Sequence, residues 1–141
     1  MAEDTSLRSD LAGRCDVIEQ AYEFMLAYAA QGLPGDAGSQ TGGQLRELLG
    51  RSISALRGLA AQYSAVVQQE RLQPRDRYDA FIAVLDRDAG NALAAMELVL
   101  AQPAISSQMV DNLNASSHVR AVLTDLFLID EILSSGRSAS N

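Results

Sequence analysis

The chain has 141 residues, 48% of them apolar and 21% charged, with 18 carboxylates against 11 basic residues for a formal net charge of −7. That length suits one domain, residues 1–136, because two independent cores would each be marginal. One cysteine (Cys15), one histidine (His118) and no lysine exclude an intramolecular disulfide, a cysteine-based zinc site, any centre needing two imidazoles from one chain, and Schiff-base or P-loop chemistry.

All 11 basic residues are arginine, and they form no basic stripe. An acidic surface of this kind repels phosphate backbones, so no nucleic-acid partner is expected. The longest apolar stretches, Phe24 to Ala30 and Leu126 to Ile129, fall far short of the ~20 residues a membrane helix needs. The acidic start, Met1-Ala2-Glu3-Asp4, is unlike a signal peptide. The expectation is a cytoplasmic protein without membrane insertion, its alanine-rich, lysine-free composition suggesting a bacterial source.

Strand-like alternation is scarce, and three interruptions divide the chain into four helical segments. The first runs from about Ser6 to Gln31. Leu7, Leu11, Cys15, Ile18, Tyr22, Met25 and Ala29 recur at spacings of three and four, and Val17, Ala21, Phe24 and Tyr28 widen the stripe. Asp16, Glu19 and Glu23 occupy the other side. Gly32 with Leu33 and Pro34 reads as a left-handed cap followed by a stop. The glycine-rich stretch Gly32 to Gly43 lacks the lysine of a phosphate cradle, and Asp36 would repel phosphate, so it reads as a flexible loop.

The second segment begins at Thr41, where Thr41 and Gln44 match a capping box. Leu45, Leu49, Ile53, Leu56, Ala60, Tyr63 and Val67 form its buried stripe. Gly50, Ser54, Gly58 and Ala65 lie on another face, either exposed or open to a closely approaching helix. The third opens at Pro74 and stops before Pro103. Tyr78, Phe81, Leu85, Ala89, Ala92, Met96 and Val99 point one way, Asp79, Asp86 and Glu97 another.

The fourth is less regular. Ile105, Met109 and Leu113 start it, capped by Ser106 or Ser107, and Asp111, Asn112, Asn114, Ser116, Ser117 and His118 interrupt the pattern with residues suited to caps and turns. Val119, Val122, Leu126, Ile129 and Leu133 resume it. The fold expected is all-α, an antiparallel up-down four-helix bundle whose fourth helix is kinked or split near Asn114, followed by a disordered tail at 137–141. Leu128 and Ile132 face away from the Val119 stripe, so apolar surface exceeds what one copy hides and a homodimer is expected.

No metal is expected. Ferritin-like centres need Glu-x-x-His units, and Ala115 stands three residues before His118. No cofactor motif occurs, covalent haem attachment included. Ser117-His118-Val119-Arg120-Ala121-Val122-Leu123 resembles, over about seven residues, the phospho-accepting helix of histidine kinases, which reads Ser-His-Glu-Leu-Arg-Thr-Pro-Leu. The resemblance implies phosphotransfer at His118, but the acidic residue after the histidine is missing and the arginine is displaced by one place. A hydrogen-bonded interface histidine is the plainer reading.

Asp125 and Asp130 interrupt the apolar run from Leu123 to Leu133. A buried carboxylate must be solvated at a bundle end or paired, with Arg14 or Arg57 as candidates, or met by a ligand. Cys15 reads as a small buried hydrophobe. The candidate interface or pocket is therefore Asn112, Asn114, His118, Asp125, Leu128, Asp130 and Ile132, and Asp16, Glu19 and Glu23, with Asp79 and Asp86, form a candidate acidic rim. The leading expectation is a non-enzymatic, homodimeric interaction protein (adaptor, assembly chaperone or regulator) that binds itself and a protein partner. The alternatives are a small-molecule-binding bundle, with Tyr22, Met25, Phe81, Met96 and Phe127 around a pocket, and phosphotransfer at His118.

Overall fold

The computed structural model describes the backbone of residues 2–139 and the side chains of residues 6–135. Among these the chain is all helix and turn: α1 (Ala2–Ala30), α2 (Gln40–Leu56), α3 (Leu59–Gln69), α4 (Arg75–Leu100), α5 (Ser107–Ala115) and α6 (His118–Ala139). The second and fourth expected segments are thus each broken in two. α1 packs against α2, α3, α5 and α6, and α4 against the same four.

Local chemistry sets each boundary. α1 ends where Gly32 takes a left-handed φ of 66°, leaving Leu33 to pack back against the core. α2 is capped by Ser39, not Thr41: the Ser39 hydroxyl accepts from the Gly42 amide at 2.9 Å. The α2–α3 break lies at extended Arg57 and left-handed Gly58, φ 74°. Gly58 therefore terminates one helix and opens the next, and Gly50 has no heavy atom near its face; neither serves a close helix crossing. The carbonyls freed at the break are taken by Arg14 of α1, which donates to Ala55 O at 3.0 Å and Arg57 O at 2.7 Å. Ser106 caps α5 by accepting from Met109 N at 3.1 Å. Ser117 then adopts φ 67° and splits α5 from α6. Ser and Asn tolerate such turns because their side chains bond the nearby backbone, as Ser116 does to Leu113 O at 2.6 Å.

All seven residues that periodicity marks in α2 and α3, Leu45 to Val67, are buried, and Ala55, Leu59 and Val66 join them. In α4 the buried residues are Ile82, Leu85, Ala89, Ala92 and Met96, while Tyr78 and Phe81 are only half-buried. α6 buries Val119, Val122, Leu123, Leu126, Ile129 and Leu133. Its backbone continues to Ala139; Ser140 and Asn141, part of the expected tail, lie outside the described residues.

One end of the molecule is fastened by polar groups. Asp36, only 8% exposed, accepts from Ile105 N at 2.6 Å and pairs with Arg46. Arg46 also reaches Leu100 O at 3.2 Å and Gln102 O at 2.8 Å, at the carbonyl end of α4, where a cation suits the helix dipole. Tyr28 donates to Ile105 O at 2.7 Å, and Ser107 donates to Tyr28 O at 2.6 Å while accepting from Leu33 N at 2.8 Å. The loop expected to be flexible is stitched to the α4–α5 connection through its one acid. Gly42 lies against it: a Cβ there would sit 2.7 Å from the Asp36 carbonyl carbon and closer still to its oxygen.

Candidate functional site

The candidate residues of the last third of the chain fall into three places. The first is the interior between α1, α3 and α6. Tyr63 donates to Asp130 Oδ1 at 2.6 Å, and the Cys15 thiol lies 3.6 Å from Asp130 Oδ2 and 3.5 Å from the Tyr63 oxygen. Asp130 therefore has neither expected arginine, since Arg14 pairs with Asp10 and Arg57 with Glu97. A phenol supplies the hydrogen bond at lower desolvation cost than a buried ion pair. Burial pushes the Cys15 thiol up to about 12, against the lowering effect of its Tyr63 contact, and burial likewise raises Tyr63. A thiol held in this form is a packing group and a weak donor, and its nucleophilic form is disfavoured.

The second place is the turn between α5 and α6. Asn112 is exposed and accepts from Gln108 at 3.3 Å; Asn114 donates to Met25 O at 3.3 Å, tying the turn to α1. His118, half-buried at the first residue of α6, makes no side-chain hydrogen bond among the described residues, unlike the hydrogen-bonded histidine expected. The polar cluster is thus spread along a helix break and does not converge on one point.

The third place is the outer surface of α6 and its seam with α4. Phe127, Leu128 and Ile132 are 54%, 51% and 43% exposed. The reason is angular: at about 100° per residue Phe127 and Leu128 point about 130° away from the centre of the buried Val122–Leu126–Ile129–Leu133 stripe, one to each side, and Ile132 lies about 90° from it on the Leu128 side. Ile132 continues into a shallow groove of about 230 Å³ bounded by Pro74, Tyr78, Phe81 and Ile129, with Arg77 at its edge. The five residues expected around a ligand pocket are dispersed: Met25 and Met96 are core, Phe81 lines this groove, Phe127 faces solvent, and Tyr22 packs half-buried against the core.

Asp125 belongs to the same seam. Its Oδ2 is buried without a donor, although its carboxyl meets that of Asp88 on α4. Both facts agree if a proton sits between the two carboxyl groups, since a carboxylate alone can only accept. Burial first, then the Asp88 contact and charge, push Asp125 up to about 7. A folded-state value above the ordinary carboxylate value of about 4 means that this group lowers stability as pH rises from about 4 to about 7. Asp125→Asn keeps the donor and removes the charge. It should raise stability by about 1 kcal/mol near pH 8 and change it little near pH 4.5. Thermal unfolding at the two pH values measures this, and an equal effect at both would refute the shared proton.

The candidate acidic rim starts on α1, one turn from Cys15. Glu19 is close enough to raise Cys15, and Cys15 touches Asp130. Asp16 and Glu23, a turn to either side of Glu19, are exposed on the same helix, and Asp79 and Asp86 are exposed on α4. Sequence reasoning singled out Asp130, Asp125, Leu128 and Ile132 but not Tyr63 and Asp88, the groups that the two acids meet. Tyr63 counted as one more apolar stripe residue, and nothing local in the chain points Asp88 at Asp125. No group of three or more potential metal ligands occurs among the described residues, and no helix there is long and apolar enough to cross a membrane. No protein-family model, curated protein or solved structure matches the chain.

Proposed function

We propose that the chain is a four-rod helical bundle, α2–α3 and α5–α6 each forming one interrupted rod, that acts by binding rather than by catalysis. It pairs with a second copy through α6 and presents an acidic surface to a protein partner. The observation that carries this reading is the exposure of three large apolar side chains on the outer half of α6, Phe127, Leu128 and Ile132, the last of which continues into the Tyr78–Phe81 groove. Clustered large apolar side chains at a surface mark interaction sites, whereas single ones do not. The exposed acids Asp16 and Glu23 on α1 and Asp79 and Asp86 on α4 support a basic partner, because complementary charge speeds encounter and suppresses wrong partners. The protonated state of Cys15 weighs against a thiol enzyme.

Light scattering after size exclusion tests the pairing. At micromolar concentration the expected mass is twice the 15.1 kDa of one chain. Leu128→Glu places a charge in the apolar contact of both copies and should raise the dissociation constant at least about 30-fold, with the helical circular dichroism unchanged. A monomeric wild-type protein would overturn this reading.

A further inference from the structure

The exposed face of α6 has a polarity of its own. Arg120 lies at its beginning and Glu131 near its end, both exposed, with Thr124, Phe127 and Leu128 between them. At about 100° per residue these five share an arc of about 100°, and the two charges lie about 16 Å apart along the helix. Neither charge has an ion-pair partner among the described residues; Arg120 donates only to Ser117 Oγ at 3.3 Å. The one uncharged polar group of the strip is already satisfied: Thr124 donates its hydroxyl to Arg120 O at 2.8 Å, so it offers a methyl to a neighbour. An apolar centre with opposite charges at its two ends has the composition of an interface core with a polar rim.

Such a strip complements itself in one direction only. Laid parallel on a second α6, it sets arginine on arginine and glutamate on glutamate. Laid antiparallel about a two-fold axis between residues 125 and 126, it brings each Arg120 to the partner's Glu131 and each Phe127 to the partner's Thr124. Two-fold contacts are isologous, so every favourable pair occurs twice, and antiparallel helix dipoles add to the match. We propose that the second copy docks antiparallel along α6, held in register by two Arg120–Glu131 pairs. This rests on the homodimeric reading above and names its geometry.

Charge reversal tests it. Arg120→Glu and Glu131→Arg each put like charges together at both ends of the contact. Each also suits the helix dipole, an acid in the first turn and a base toward the C-terminal end, so the monomer fold is retained, as thermal unfolding by circular dichroism verifies. Each single reversal should raise the dissociation constant about tenfold or more, and the double variant, with both pairs restored in reverse, should return to within about threefold of wild type. Singles that leave dimerisation unchanged, or a double variant no better than the singles, would overturn the antiparallel geometry. The homodimer would survive that result if Leu128→Glu still dissociates it. A monomeric wild-type chain would remove both proposals together.

Discussion

Replacing Gly42 by alanine is expected to destabilise the protein by about 3 kcal/mol or more, the range of overpacking against rigid neighbours. The added methyl would meet the Asp36 backbone, 2.7 Å from both its carbonyl carbon and its Cβ, where no flexible side chain can yield. Gly42 is in the first turn of α2, so relief requires that turn to move away from the 31–39 loop. That movement loosens Asp36 from Ile105 and Arg46. Urea unfolding of Gly42→Ala beside Gly43→Ala measures the effect. Gly43 has open space at its Cβ position, and in a helix alanine there should be neutral or stabilising. Equal stability of the two variants would show that the close approach does not exist.

Asp36→Ala is expected to cost about 2–4 kcal/mol, because removing one member of a buried pair strands the other. Arg46 and the Ile105 amide would both lose their acceptor. The Arg46 guanidinium, followed by the Ile105 amide, holds the Asp36 carboxyl down at about 2. A folded-state value below the unfolded value of about 4 contributes stability that is complete above about pH 4 and is lost as pH falls toward 2. Acid unfolding should therefore be less steep in Asp36→Ala than in wild type over that window, although the variant is less stable at neutral pH. Parallel acid titrations would disprove the assignment. The sign is opposite to that at Asp125, so the two carboxyls together favour the folded state most near about pH 4, with Asp36 losing its contribution below that and Asp125 opposing folding above it.

The contrast between these acids shows which parts of the architecture can be read from the chain alone. Helical period placed Leu45, Leu49, Ile53, Leu56, Ala60, Tyr63 and Val67 on one buried face, because that period follows from residue spacing. Gly32 and Ser106 marked boundaries for the same local reason. Gly58 did not stand out, because a glycine within an uninterrupted apolar stripe resembles a tolerated small residue. Only the backbone shows that it turns left-handed and splits the rod. Asp36 stood in a stretch that read as a flexible loop. Its one trace in the sequence is Arg46, which follows buried Leu45 and has no acid three or four residues away. The pairing of those two, like that of Tyr63 with Asp130, spans segments whose relative position local pattern does not encode. Leu128 and Ile132 were legible as excess apolar surface because angular position on a helix follows from numbering.

The interruption at Arg57–Gly58 bears on how any docking would proceed. A gap in a helix ladder ordinarily behaves as a joint, since free carbonyls and a glycine let the two halves swing. Here Arg14 grips the carbonyls of Ala55 and Arg57, so the joint is bolted to the longest helix among the described residues. An arriving protein would meet a stiff scaffold, and little conformational freedom remains to be lost when the complex forms.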